Sequence, residues 1–158
     1  MNPLVIVLVL IVIAGVIALI AFNPMLKKKE DAAIAKVKEQ FGSDERKLIE
    51  TRATAMGTEP EEAGGIRGMS VLAVNSQEVM AVTWSGLSEW LVARSAITTV
   101  ESSADDPEAV QKATIIIGYA TADGSEAKAS FRLKDPVPWL TELGYDWGPE
   151  GPPAPEAD

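Results

Sequence analysis

The pattern of apolar and polar positions divides the chain into one unbroken apolar run, one helical stripe and a series of short alternating segments. The run extends from Leu4 to Phe22, and none of its side chains is charged or polar. A helix rises about 1.5 Å per residue and needs roughly 20 residues to cross the hydrocarbon core of a bilayer. We therefore predict a single transmembrane helix over residues 4–22.

The charges that flank this run predict its orientation. Lys27, Lys28 and Lys29 follow it closely, whereas only the terminal amine precedes it. Lysines next to a span are retained on the cytoplasmic side. We expect the amino terminus outside the cell membrane and the remainder of the chain in the cytoplasm. The same lysines are also candidates for contact with anionic lipids. A signal peptide would need a basic start and a small-residue cleavage site, and neither is found here.

Residues 24–42 have the spacing of an amphipathic helix. Ile34, Val37 and Phe41 recur at i, i+3 and i+7, with lysines and glutamates on the other face. Gly42 ends the pattern. We interpret this helix as a juxtamembrane stalk, and the alternative is that its stripe faces lipid or a partner helix.

From residue 45 to 146 the apolar positions alternate in short runs, which is typical of antiparallel strands. Ser85-Gly86 and Asp123-Gly124 are signals for tight hairpin turns. The alternation of Ala129, Phe131 and Leu133 indicates a sheet with one covered face and one wet face. The predicted strands cover residues 47–55 (a segment that fits a helix equally well), 66–74, 79–84, 89–93, 97–101, 113–121 and 128–133.

A short helix is predicted after the last strand, with Asp135 as its N-cap, Pro136 at its first position and Gly144 as its end. Residues 147–158 are rich in proline and have few apolar side chains, so we predict a disordered tail. The fold class is thus α+β or mainly β. About seven antiparallel strands form a bent sheet or partly open barrel, capped by the carboxyl-terminal helix.

This order of elements resembles that of pleckstrin-homology-like (PH-like) domains, and three segments are similar in sequence to membrane-anchored actinobacterial proteins of that class. Gly65–Val74 is similar to the pattern R-G-x-G-x-L-x-L-T, with Ser70 in place of the second glycine. Trp90–Glu101 is similar to E-L-x-I-P…I-x-x-V-E, without its proline. Phe131–Leu140 is similar to F-x-V-x-D-x-x-x-W-L. The resemblance implies a PH-like fold with one amino-terminal membrane helix, and it transfers no catalytic residue.

Composition excludes several classes of function. All 23 acidic residues but only 11 of the 14 basic residues follow Lys29, so that part of the chain has a net charge of −12. The long-range field of such a domain repels both nucleic acid and an anionic membrane face. The chain contains no cysteine and no histidine, which removes thiol nucleophiles, disulfides and zinc sites built from these residues. We expect no enzyme activity, no cofactor and no metal.

Two loops carry weak signals for ligand binding. Clustered carboxylates could bind Ca²⁺ or Mg²⁺, and a glycine pair beside an arginine could hold a phosphate. In both places an ordinary solvated loop is the preferred interpretation. The residues concerned are Glu101, Asp105, Asp106 and Glu108 in the acidic loop, and Gly64, Gly65 and Arg67 in the glycine-containing loop.

The function predicted from these features is that of an interaction or scaffold module held at a membrane by one span, with an unidentified protein partner. Its surfaces would be an open sheet edge and the hairpin that carries Trp84 and Trp90, unless these two side chains belong to the core. One alternative is lipid or small-ligand sensing near Arg67 and Arg94. Another is an accessory role in a transport or export complex, with helix contacts at the small-residue face around Gly15.

Overall fold

A computed structural model describes residues 23–42, 46–104 and 113–152. This part of the chain forms a seven-stranded antiparallel sheet, preceded by one α-helix and followed by a short one. The elements are α1 (residues 23–41), β1 (Arg46–Glu59), β2 (Gly68–Asn75), β3 (Glu78–Thr83), β4 (Glu89–Ala93), β5 (Ile97–Ser102), β6 (Thr114–Ala120), β7 (Glu126–Arg132) and α2 (Val137–Leu143).

The strand order is β4-β3-β2-β1-β7-β6-β5, so β4 and β5 are the two edges of the sheet. The long strand β1 joins the two halves, because it pairs with β2 and with β7. Its register against β7 shifts between Ala55 and Gly57, and Gly57 has a φ of 133°. Only glycine adopts this conformation readily, and such a bulge bends and twists a strand. The predicted mainly-β sheet with a carboxyl-terminal helix is confirmed.

The main core lies on one face of the sheet, where side chains of both halves meet α2. The Trp90 ring packs against the rings of Tyr119 and Phe131, with centroid separations of 5.5 and 5.3 Å. From α2, Trp139 and Leu140 are buried in the same cluster. Aromatic pairs of this kind add to the stabilisation that burial alone supplies.

A second, smaller cluster lies under α1. Ala33, Val37 and Phe41 are buried, and the helix thereby covers a patch of β2 and β3. The predicted stripe therefore packs against the chain's own sheet, a contact that neither interpretation of the helix included. The expectation of one wet face is wrong for these two strands. The residues that α1 covers are Val71, Ala73, Met80 and Val82.

The ends of the elements differ from the prediction in places. The segment that fitted a helix or a strand is a strand, and β1 continues to Glu59. Helix α2 begins at Val137, with Pro136 as its N-cap and no side-chain capping bond, so the assignment of Asp135 as N-cap is wrong. Gly144 ends the helix in the left-handed conformation, with a φ of 86°. Gly148–Glu150, at the start of the predicted tail, forms a 3-10 turn.

The predicted transmembrane helix over residues 4–22 lies outside the described residues. Across the three described ranges, no helix combines the length and the apolar character that crossing a bilayer requires. The end of the predicted tail, residues 153–158, also lies outside the described part of the chain.

Candidate functional site

The edge strand β4 presents unpaired backbone groups in a regular register. The N–H of Arg94 donates to Gln77 O at 2.7 Å, and the N–H of Thr83 donates to Ser88 O at 3.0 Å. In an antiparallel ladder the bonding pairs alternate, and the paired positions of β3 and β4 follow this register throughout. The N–H groups of Glu89, Leu91 and Ala93 therefore point away from β3. No described strand pairs with this side of β4.

Apolar side chains accompany this edge. The Leu91 side chain, in the middle of β4, is 45% exposed, and Leu87, in the turn before β4, is 89% exposed. An exposed leucine beside unpaired backbone groups is a feature of surfaces that accept another strand. The arrangement offers both main-chain hydrogen bonds and a side-chain contact to an extended segment of a partner.

The structure separates Trp84 from Trp90, so the two do not form one surface. Trp90 is only 3% exposed and lies in the main core. Trp84 lies on the opposite face, against the cluster under α1, and its Nε1 donates to Thr51 O at 3.0 Å. Trp90 is therefore a core residue and is not part of the predicted partner surface.

The three lysines predicted to flank the membrane are exposed on the first turns of α1. One of them, Lys27, lines a groove of about 590 Å³ between the start of α1 and the sheet. Arg52 also lines this groove and forms an ion pair with Glu30 at 3.8 Å. The remaining lining residues are Asn23, Leu26, Asp31, Met69 and Trp84. Opposite charges balance here, so the groove has no strong preference for an anion.

The two arginines of the predicted ligand pocket lie at opposite ends of the half-sheet β1–β4. Arg67 precedes β2, and its Nε donates to Met56 O at 3.3 Å. It lines a pocket of about 360 Å³ together with Glu59 and Glu61, whose charges oppose the binding of an anion. Arg94 follows β4 and lines neither this pocket nor the groove beside α1. A shared basic pocket therefore does not form.

Arg94 instead connects the end of β4 to α2. Its Nη1 donates to Asn75 O at 3.1 Å and to Glu142 Oε1 at 2.5 Å, and its Nη2 donates to Glu142 O at 2.5 Å. Hydrogen bonds that involve charged groups are stronger than neutral ones, especially where the partners are partly buried. The contact fixes α2 across the open side of the sheet.

We expect Arg94→Met to lower the free energy of unfolding by about 1.5–3 kcal/mol, because it removes charge-assisted hydrogen bonds while it keeps the apolar stem. Urea denaturation of the full chain in detergent, followed by circular dichroism, measures this change. Arg132→Met on the exposed side of β7 is the matched control and should change stability by less than about 0.5 kcal/mol. Equal losses in the two variants would contradict the role assigned to Arg94.

The weak ligand signals are not strengthened by the structure. Asp105, Asp106 and Glu108 lie outside the described residues. Glu101 accepts a hydrogen bond from Lys128 Nζ at 3.0 Å, and this contact lowers the pKa of the Glu101 carboxyl group. Within the described ranges, no group of three or more acidic, cysteine or histidine side chains is placed to hold a metal.

Gly64 and Gly65 allow the loop between β1 and β2 to pack closely against the main core. Both Gly64 and Gly65 have positive φ, and a Cβ at Gly64 would lie 3.2 Å from the Trp90 ring. The Gly65 N–H donates to Thr58 Oγ1 at 3.1 Å. Tyr119 also donates from its hydroxyl group to Ala63 O at 2.7 Å. These contacts hold the loop between β1 and β2 over the main core, and the Gly65 N–H is already used within the protein.

No protein-family model, no curated protein and no solved structure matches this chain. The candidate surface therefore follows from geometry alone. The sequence predicts an open sheet edge but not which edge pairs without a register shift, because the register depends on the partner strand. It also did not reveal the cover that α1 provides, although the continuous apolar runs of β2 and β3 are a signal of burial on both faces.

Proposed function

We propose that this protein is a single-span membrane protein whose PH-like domain lies in the cytoplasm and binds a partner protein by strand addition to β4. The observation that carries the proposal is the regular, unpaired edge of β4 in a domain to which α1 is docked. The PH-like assignment is supported by seven consecutive antiparallel strands followed by a helix, the order that the sequence resemblance implies.

The docked helix supports a role that depends on location. The described part of α1 starts at residue 23, and the apolar run of residues 4–22 precedes it in the sequence. Because its side chains Val37 and Phe41 are buried against the sheet, α1 belongs to the folded domain. A domain tied to a bilayer in this way is confined to two dimensions. Its effective concentration towards a partner in the same membrane rises without any new contact.

The two edges of the sheet differ in how well they could accept a strand. The register of β5 shifts between Ile97 and Thr99, and such a bulge is one way in which edges are protected. Strand β4 pairs with β3 without a shift, and its Leu91 is exposed beside the outward N–H groups. We therefore assign the partner to β4.

A proline substitution tests the assignment, because proline removes one backbone N–H. At Leu91 that N–H points outward, so Leu91→Pro should leave the sheet paired and remove the partner. Val100→Pro is the matched control: Ser103 N–H donates to Thr114 O, so by alternation the N–H of Val100 also points outward, at the other edge. Both variants are made in the full chain and solubilised gently from membranes.

Captured proteins are compared by quantitative mass spectrometry, and circular dichroism checks that both variants are folded. We expect the recovery of specific partners with Leu91→Pro to fall at least about tenfold, which corresponds to about 1.4 kcal/mol of binding free energy. With Val100→Pro the recovery should stay at the wild-type level. Equal retention by both variants would contradict strand addition at β4. Release of the wild-type chain from membranes by alkaline carbonate would contradict the anchor.

A further inference from the structure

We propose that the end of the half-sheet β1–β4 that carries Met69 and the β3–β4 turn rests against the lipid interface. This inference depends on the membrane anchor of the proposed function. It adds which surface of the domain faces the bilayer, namely an apolar rim that consists of Met25, Met56, Met69 and Leu87.

The strand registers place three of these residues, Met56, Met69 and Leu87, at one end. Ala55 pairs with Gly68, Ser70 pairs with Thr83, and Val82 pairs with Glu89. The residues just after Ala55, just before Ser70 and between β3 and β4 therefore lie together. The opposite end carries the turn at Ser76 and Gln77, because Val74 pairs with Val79.

Helix α1 starts at the first end and finishes at the second, and as far along as Lys36 it still reaches the β3–β4 turn, where Lys36 Nζ lies 3.4 Å from Gly86 O. Near its start, Asn23 and Leu26 line the groove with Met69 and Trp84. Near its end, Gln40 Nε2 lies 3.4 Å from Glu78 Oε2 at the far end of β3. The apolar run that precedes residue 23 therefore meets the domain at the end that carries the rim.

The exposed apolar side chains are concentrated at that end. Six large apolar side chains are exposed among the described residues, and four of them form the rim: Met25 is 56% exposed, Met56 40%, Met69 41% and Leu87 89%. The turn at the other end exposes Ser76 and Gln77, which are polar. Transfer of methionine and leucine side chains from water to the boundary between headgroups and acyl chains lowers the free energy.

The basic side chains at the start of α1 fit a headgroup layer. The three lysines at positions 27–29 are exposed and lie about 6–9 Å along the helix axis from residue 23, at a rise of about 1.5 Å per residue. Two nearby carboxylates are compensated, because Glu30 pairs with Arg52 and Glu89 pairs with Lys36, whereas the pocket beside Met56 also contains Glu59 and Glu61. The lysines can thus meet lipid phosphates while the apolar rim lies beside them.

The absence of cysteine from the sequence allows this placement to be measured in the natural background. Leu87→Cys and Ser76→Cys, both at exposed turn positions, each take one environment-sensitive fluorophore. The full chain is reconstituted in vesicles of phosphatidylcholine and phosphatidylglycerol, with and without lipids that carry a quencher on the acyl chain. Flotation with the vesicles is recorded for every sample.

We expect the label at Leu87 to be quenched at least about twofold more than the label at Ser76, because only the rim reaches the acyl boundary. Equal quenching in chains that float with the vesicles would overturn the orientation and leave the anchor standing. Failure of the chain to float would overturn the anchor, and the orientation with it.

Discussion

Replacing Val37 with aspartate should release α1 from the sheet and lower the free energy of opening for the α1 amides by at least about 3 kcal/mol. Val37 is 0% exposed and lies in the cluster with Val71 and Val82. An unpaired carboxylate in such a place loses its hydration without gaining a partner, which costs several kcal/mol. Hydrogen exchange of the full chain in lipid nanodiscs measures the opening of α1 and of the sheet separately.

Ala35→Asp is the matched control, because it introduces the same charge on the exposed face of the same helix. It should change the opening free energy of α1 by less than about 0.5 kcal/mol. The amides of β6 and β7, which do not contribute to the cluster under α1, should keep their protection in both variants. Unchanged protection of α1 in Val37→Asp would refute the docking of this helix.

Trp90→Ala should lower the free energy of unfolding by about 3–5 kcal/mol, the usual cost of emptying a core position that held a large aromatic ring. Trp90 is almost fully buried, and it contacts the rings of Tyr119 and Phe131. Its removal would leave a cavity where β4, β6 and β7 meet. Urea denaturation of the full chain in detergent, followed by circular dichroism, gives the loss.

Trp84→Ala provides the comparison, because the sequence offered the two tryptophans as a pair. Trp84 is half-buried on the other face and donates one hydrogen bond to Thr51 O. Its loss should cost about 1–2 kcal/mol. A fall in the free energy of unfolding with Trp84→Ala as large as that with Trp90→Ala would contradict the assignment of Trp90 to the main core and of Trp84 to the edge of the second cluster.

Local signals in the sequence predicted most of the sheet. Ser85-Gly86 and Asp123-Gly124 mark the turns before β4 and β7, and both turns are present. The alternation of Ala129 and Phe131 predicted which residues of β7 are buried. Such signals succeed because turn chemistry and strand alternation are properties of neighbouring residues.

Non-local packing explains what the sequence did not reveal. The stripe of α1 shows that the helix has an apolar face, but it does not show which surface covers that face.

The start of α2 differs from the prediction for a local reason. Pro136 and Pro138 both fit an early helical position, and the helix begins between them at Val137 and not at Pro136.

The candidate surface was predictable only in part. Consecutive hairpins imply two open edges, so an accessible edge was expected. The two tryptophans flank the same turn in the sequence, which suggests a common surface. In the register of that hairpin, however, Trp90 pairs with Ala81 and thus faces away from Trp84. Counting the register through the Ser85-Gly86 turn would have separated them, since a shift of one residue moves a side chain to the other face.

The central claim is that α1 belongs to the folded domain and holds residue 23 in a fixed position relative to the sheet. Its most direct test is the distance between two spin labels in the full chain in nanodiscs, one at Glu39→Cys on α1 and one at Ser95→Cys after β4. A docked helix predicts one narrow distance distribution, and Val37→Asp should broaden it. A distribution in the wild-type background as broad as that of the Val37→Asp variant would contradict the account.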